Sequence, residues 1–247
     1  MQVTAYPSPL VRAGDNLYDV LSQTLVQIPE GSVVAITSKI IALSENRVVD
    51  KDSISKHDLV RQEADQYTEP HSSKYDMMLA VKNHQLFVNA GIDESNADGK
   101  YVLWPSDPQR SANRIWEWLR LNFGVQRVGV IITDSKTAPL HWGVTGASIA
   151  HCGFRELNSK IGEKDLFGRE LHMTQVNVSQ ALAAAAVFEM GEASEGTPVA
   201  LIENIRDIEF QDRPPTAEEL DSLKIELEDD VYAPILTQAD WQSGRRI

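Results

Sequence analysis

The sequence is poor in the residues that crosslink chains or bind soft metals, with one cysteine, Cys152, in 247 residues. A single thiol cannot close an intramolecular disulfide, and a zinc centre built on cysteines needs several, so both are excluded. Positive charge is also scarce: Lys and Arg number 23 against 36 Asp and Glu, leaving a net charge of −13 and no basic run. Such a chain is a poor partner for nucleic acid or for an anionic membrane surface. No apolar stretch approaches the ~18 residues of a membrane span. The opening Met1-Gln-Val-Thr-Ala-Tyr6 lacks a basic segment followed by an apolar one, so the expectation is a soluble, unprocessed protein of the reducing cytoplasm. Internal repeats, low-complexity tracts and long Gly/Ser linkers are missing too, which leaves any domain boundary to a short connection.

What is present alternates between helix and strand. At roughly 150 residues per domain, the chain is one large domain or two small ones. Gly14-Asp15 opens an amphipathic helix to about Ile28, with Leu17, Val20, Leu21 and Leu25 on one face, and Pro29-Glu-Gly31 stops it. Ser32 to Thr37 then reads as a strand leading into Ser38-Lys39. The polar stretch from Asp50 to Lys82 reads as helix in two pieces, broken around Glu69-Pro70-His71. Ser106-Asp107-Pro108 caps a helix that runs to Phe123 and stops at Gly124, with Ile115, Trp116, Leu119 and Phe123 as its core stripe. The nearby Trp118 receives no ligand role. After an irregular loop from Lys136 to Gly143, Val144 to Ala150 reads as strand, Ser179 to Met190 as an alanine-rich helix, and Pro198 to Ile202 as strand. The acidic, proline-punctuated segment 207–247 reads as a peripheral arm beside a region spanning 1–206.

The most informative segment is Val128-Gly-Val-Ile-Ile-Thr-Asp134, followed by Ser135. A run this apolar and β-branched is a buried strand, and a carboxylate at the C-terminal edge of such a strand sits where α/β proteins bind phosphate and metal. Asp93 closes Leu86-Phe-Val-Asn-Ala-Gly-Ile-Asp93, and Glu192 follows the alanine-rich helix. Three carboxylates at element ends suit a hard cation such as magnesium or manganese. Their weights differ. Burying Asp134 without a partner would be costly, whereas Asp93 has an ordinary alternative as an Asx-turn in Asp-Glu-Ser-Asn, and a carboxylate after a helix is usually solvated. For Cys152 the better reading is a small buried hydrophobe, and His57, His71, His84, His141, His151 and His172 show no metal spacing.

Several segments together resemble the coenzyme F420 γ-glutamyl ligase family. They are Pro9-Leu-Val-Arg12 before Gly14-Asp15, Thr37-Ser-Lys39 with Ser44-Glu-Asn-Arg-Val-Val49, Asn89-Ala-Gly-Ile-Asp-Glu-Ser-Asn96 and Leu103-Trp-Pro-Ser-Asp-Pro108. Further on, Gly129 to Asp134, Asp165-Leu-Phe-Gly-Arg169, Ala181 to Gly191 and Pro198 to Ile202 follow in the same collinear order. The resemblance implies an α/β (mixed α+β) fold of mixed sheets with flanking helices, its catalytic region 1–206 open to division into two intertwined subdomains. It further implies a GTP-dependent ligase that adds L-glutamate to a carboxylate-bearing coenzyme, F420-type or folate-like, through an acyl phosphate. A two-metal site for Mg2+ or Mn2+ comes with it: Asp93 and Asp134 resemble ligands of one metal and, as catalytic residues, lie at the chemistry, while Ser135 and Glu192 resemble ligands of the other. Nucleotide contacts fall on Pro9, Leu10, Val11, Arg12, Ser38 and Asn96, and on the loop Met190, Gly191, Glu192, Ala193, Ser194, Glu195, Gly196 and Thr197. A homodimer is implied as well, for which Ile235-Leu236 and Trp241 offer apolar surface.

The departures concern the substrate. Leu43 stands where the family commonly has lysine, and Ser135 replaces a threonine but keeps its hydroxyl. The usual Thr-Phe-Gly-Arg-Pro-Trp-Arg becomes Ser135-Lys-Thr-Ala-Pro-Leu-His141, and Gly-Gln-Thr-Asp becomes Gly143-Val-Thr-Gly146. Two guanidinium forks that would read phosphate or carboxylate are thereby lost from this loop. Arg12 and Lys39 offer remaining positive charge for phosphates. Two other functions compete: a metal-dependent nucleotide phosphohydrolase, with water in place of the amine, and a nucleotide-binding homologue without ligase activity.

Overall fold

The computed structural model describes residues 1–70 and 75–244. In chain order the elements are β1 (Gln2–Tyr6), α1 (Leu17–Thr24), β2 (Ser32–Thr37), α2 (Ser38–Ser44), β3 (Val48–Asp50), α3 (Lys56–Glu63), β4 (Gln66–Tyr67), β5 (Leu79–Lys82) and β6 (Gln85–Val88). After a 3-10 turn at Asn89–Gly91 come β7 (Lys100–Val102), α4 (Pro108–Phe123), β8 (Val128–Lys136), β9 (Thr145–Cys152), β10 (Leu157–Ser159) and β11 (Gln175–Asn177). The chain continues with α5 (Val178–Met190), β12 (Val199–Glu203), α6 (Ala217–Asp221), α7 (Ala233–Leu236) and β13 (Gln242–Ser243). This is the mixed α/β class with mixed sheets and flanking helices. Among the described residues no helix is long and apolar enough to cross a membrane.

The chain divides into two compact units. The first comprises Met1–Asn46, Pro105–Ser135 and Thr145–Pro215, and the second Arg47–Trp104, Lys136–Val144 and Thr216–Ile247. The first unit is built on a five-stranded sheet in the order β1-β12-β2-β8-β9. β1 and β2 run antiparallel to β12 between them, while β2 and β8 are parallel with Thr37 beside Thr133. Side chains alternate between faces along a strand, and both faces of β2 and β8 are buried, which is why these strands read as unbroken apolar runs. Val33, Ala35, Ile131, Ala200 and Ile202 pack on one face with Leu182, Ala183, Ala186 and Met190 of α5. The helix lies close: a β-carbon at Gly146 of β9 would come within 2.3 Å of the Ala183 carbonyl oxygen and 2.6 Å of Val187 Cβ.

α4 has the expected limits. The Asp107 carboxylate accepts the Arg110 N–H, Pro108 occupies the first turn, and Gly124 ends the helix at φ 66°. α1 is shorter than its amphipathic pattern. Asn16 caps it by accepting the Tyr18 N–H, Asp15 instead accepts the Arg12 N–H at 2.7 Å, and the chain is already extended at Leu25. Leu25 and Ile28 are buried nonetheless, so the apolar pattern continued past the helix as core; Pro29 also disfavours helix at the residue before it.

The second unit corrects one expectation outright. Among the described residues of the stretch to Lys82 only Lys56–Glu63 is helical, capped by Ser55, and Gln66–Tyr67 and Leu79–Lys82 are strands of the sheet β13-β4-β5-β6. Of the expected break at Glu69-Pro70-His71, His71 lies outside the described residues. β5 and β6 pair antiparallel across Asn83-His84, whose φ values of 50° and 59° are those of a two-residue hairpin turn. Leu59, Val60, Tyr67, Met78, Ile92 and Leu103 belong to this unit's core. Near the C-terminus, Thr216 and Glu219 form a reciprocal capping box on α6, and β13 pairs with β4. Trp241 is half-buried, its indole donating to the Leu236 carbonyl, while Ile235 is exposed.

Candidate functional site

Strand direction decides which residues meet in the first unit. β2 and β8 end at the same edge of the sheet, β1 leaves at that edge because Tyr6 lies opposite Val199, and β12 begins there because Val199 lies opposite Ile36. Four segments therefore emerge side by side: Pro9 to Arg12 after β1, Ser38 after β2, Asp134 and Ser135 toward the end of β8, and Met190 to Thr197 before β12. Backbone hydrogen bonds tie them together. The Ser8 N–H donates to the Gly196 carbonyl at 3.0 Å, Thr37 N–H to the Pro198 carbonyl at 3.0 Å, and Gly14 N–H to the Leu43 carbonyl at 2.9 Å. Pro9, Leu10 and Arg12 are exposed and Val11 is half-buried, whereas Ser38 is buried as the first residue of α2 behind the Thr37 cap. Leu43 is buried too, so an apolar side chain suits its place on α2.

Within this edge, the Ser135 hydroxyl lies 2.9 and 2.8 Å from the two carboxylate oxygens of Glu192. Alternation explains the meeting: Ser135 shares its parity with Ile131, which packs on α5, and Glu192 follows α5 directly. Asp134 has the opposite parity, and its carboxylate accepts the Ser135 N–H at 2.8 Å. Neighbouring residues of one strand thus present oxygen donors to different places. A hydroxyl and a carboxylate converging within hydrogen-bond distance are hard donors of the kind that holds magnesium or manganese. Among the described residues no three His, Cys, Asp or Glu side chains gather as a metal cluster.

The loop after α5 is more constrained than its glycines suggest. Gly191 has φ 80°, and a β-carbon there would meet the Glu195 carboxyl carbon at 2.3 Å. Glu195 accepts the Ala193 N–H at 2.8 Å, and the Thr197 hydroxyl donates to the Met190 carbonyl at 2.5 Å. Glu192, Ala193, Ser194 and Gly196 are exposed, so the braced loop offers its atoms to solvent.

Asp93 belongs to the second unit. Its carboxylate accepts N–H bonds from Glu94 and Ser95, at 2.6 and 2.8 Å, and the Ser95 hydroxyl at 2.9 Å, so the Asx-turn is formed. The backbone before it is strained: Asn89 and Ala90 both have φ 52°, a left-handed conformation that costs a non-glycine residue energy. Gly91 follows at φ 71°, where a β-carbon would come within 2.1 Å of Trp104 Nε1. Asp93 then pairs with Val102 through both backbone groups, and Asn96 is exposed at φ 50°. Trp104 is held in turn: its carbonyl accepts from Arg47, and the Lys82 ammonium lies 5.4 Å from its ring. Glu63 bonds both cations, at 2.8 Å each. Burial pushes the Lys82 pKa below its ordinary value, with Glu63 opposing the shift. The sequence marks Trp104 only within Leu103-Trp-Pro-Ser-Asp-Pro108 and gives Lys82 and Glu63 no role; an ammonium at an inward position of an alternating strand is the signal that could have found them.

Cys152 and His151 are buried, and His141 is exposed. Burial pushes the Cys152 thiol up to about 12, which leaves it inert. Buried His151 lies 3.0 Å from Glu156, which also accepts from the Ser179 hydroxyl. Burial pushes Glu156 up, yet hydrogen bonds from His151, Ser179 and Asn177 prevail and hold it below the ordinary range. His141 is exposed, with Nδ1 3.0 Å from the Pro139 carbonyl, in the loop Lys136–Val144 where Leu140 has φ 59° and Trp142 is 91% exposed.

The F420-0:Gamma-glutamyl ligase family model matches residues 7–204. The coenzyme F420:L-glutamate ligase of Methanopyrus kandleri is 34% identical over 219 residues, covering 81% of this chain and 86% of that enzyme. Enzymes of the same name from Methanocaldococcus jannaschii and Archaeoglobus fulgidus are 32% and 30% identical, covering 82% and 83% of this chain and 87% and 89% of those enzymes. The match takes in every segment of the sheet edge and the Asp93 turn, and the chain belongs to the F420-0:gamma-glutamyl ligase family.

Proposed function

We propose that the protein is a ligase that joins L-glutamate through its amine to a carboxylate of the F420-type coenzyme, at the expense of GTP and by way of an acyl phosphate. The meeting of Ser135 with Glu192 at the edge where β1, β2 and β8 end and β12 begins carries this reading. The exposed segment Pro9 to Arg12 and the braced loop Met190 to Thr197 border that edge and bind the nucleotide, and Ser38, buried at the start of α2, is proposed as a further nucleotide contact. Asn96 of the second unit is likewise proposed as a nucleotide contact. Ser135 and Glu192 would hold one divalent cation, and Asp134 and Asp93 are each proposed as ligands of a cation. Magnesium or manganese, when bound, neutralises the phosphoryl oxygens during transfer. The chain's own residues orient the phosphate groups and fix the carboxylate charges before substrate arrives, which lowers the reorganisation required in the transition state.

Incubation with the deazaflavin coenzyme acid, L-glutamate, GTP and magnesium tests the reading. Mass spectrometry should show a glutamate-sized gain on the coenzyme that requires GTP. Phosphate release that is indifferent to acceptor and glutamate would replace the ligase with a phosphohydrolase, and GTP binding without turnover would leave a nucleotide-binding homologue. A cytoplasmic homodimer is part of the same proposal; the exposed Leu166, Phe167 and Met173 of the arm between β10 and β11 supply apolar surface for it. Light scattering at micromolar protein should give twice the chain mass, and a monomer mass would remove the dimer.

A further inference from the structure

At the opposite edge of the five-stranded sheet, where β2 and β8 begin, four arginines line one cleft of about 560 Å³: Arg120 of α4, Arg127 entering β8, Arg155 after β9, and Arg213. Their concentration is notable on a chain of net charge −13. The frame is set before any ligand arrives. The Arg120 guanidinium stacks 4.5 Å from the Trp116 ring and donates to Gln126 Oε1 at 2.7 Å and to the Asp212 carbonyl at 3.1 Å. The Arg127 backbone is clamped on both sides, its carbonyl accepting from Gly31 at 2.6 Å and its N–H donating to Glu30 at 2.7 Å. The wall beyond is held by Arg155 N–H donating to the Glu209 carbonyl at 2.9 Å and Gln211 N–H donating to the Gly153 carbonyl at 2.8 Å.

Carboxylates stand near these guanidiniums. Glu209 lies 3.4 Å from Arg155 in an exposed pair, Asp212 lines the cleft, and Glu30 accepts the N–H groups of Gln126 and Arg127. An exposed pair at that distance is weak and exchanges readily for a better anion. Among the residues that line the cleft, four guanidiniums stand beside two carboxylates, and planar guanidinium forks match the oxygens of phosphate and carboxylate. A cleft of this volume with forks on several walls is larger than one tetrahedral ion requires. We infer that it is a binding site for a small anion carrying two or more phosphate or carboxylate groups, separate from the carboxylate-bearing edge of the sheet. The site stands independently of the ligase reading.

Calorimetric titration of the full chain, metal-free in EDTA at low ionic strength, tests it with pyrophosphate and with citrate as probes. At least one probe should bind one per chain, and more weakly as salt is added. Binding of pyrophosphate alone assigns a phosphate ligand, and binding of citrate alone assigns a polycarboxylate. The double variant Arg127→Ala/Arg213→Ala changes two exposed side chains and should melt like wild type while losing about tenfold or more in affinity. Arg155→Ala, which removes one exposed fork, should show a smaller loss in the same direction. Asp134→Asn should bind the probe unchanged. Failure of both probes to bind, or equal affinity in the arginine variants and wild type, would overturn the site.

Discussion

The two units present their acidic residues in opposite ways. In the first unit, Glu192 meets Ser135 across 57 residues of sequence, through a contact that exists only because α5 lies on the sheet face that Ser135 shares. In the second, Asp93 is satisfied within two residues of itself by the turn that it caps. One arrangement depends on tertiary packing and the other on local backbone, so damage to them should have different signatures: chemistry lost in a stable fold for the first, and stability lost together with chemistry for the second.

The sharpest test is Asp134→Asn, which keeps the size and the acceptor for Ser135 N–H but removes the charge. Loss of several kcal/mol of transition-state stabilisation should lower kcat by about a thousandfold with the melting temperature unchanged. Near-normal turnover would take Asp134 out of the site. The converse is Gly91→Ala, where the new methyl collides with Trp104 and the backbone is left-handed. A destabilisation of about 3 kcal/mol in denaturant is expected, and a wild-type midpoint would show that the turn relaxes freely. Glu192→Gln should weaken the metal requirement by about tenfold, less than Asp134→Asn, since the Ser135 hydroxyl keeps an acceptor. A metal titration indistinguishable from wild type would assign Glu192 to solvent. In the second unit, restoring forks with Ala138→Arg/His141→Arg should improve the apparent affinity for the deazaflavin acceptor by about tenfold, and no change would free that loop of substrate choice. The smallest effect is on acid stability. Glu156 is held below its ordinary value of 4.5, so its ionised form contributes stability that is present above about pH 4.5 and lost as pH falls through the lower folded value. Glu156→Gln should flatten that acid limb in thermal melts at descending pH, and an unchanged limb would place the dependence elsewhere.

How much was legible follows from the range of each interaction. β2, β8 and α4 could be read because burial on both faces, a capping Asp107 and a terminal Gly124 write themselves into consecutive residues. The place of Asp134 toward the end of β8 was legible for the same reason, as charge after an apolar run. The hairpin at Asn83-His84 was not, since neither position carries the glycine that usually marks such a turn. Nor were the His151–Glu156 pair and the Ser135–Glu192 contact, because each depends on which face a neighbouring element covers. The resemblance named Glu192, but only the packing of α5 explains its place.

That packing has a consequence for how the protein tolerates change. Gly146, Ala183 and Ala186 carry no functional group, yet their small volumes fix the spacing between α5 and the sheet, and with it where the helix releases the chain toward Glu192. An Ala183→Leu substitution would act as a shim, lifting the helix by a fraction of its own diameter and carrying the carboxylate with it. The geometry of the edge thus depends on residues that carry no polar group, and drift in side-chain volume along α5 should shift Glu192 while every polar residue stays in place.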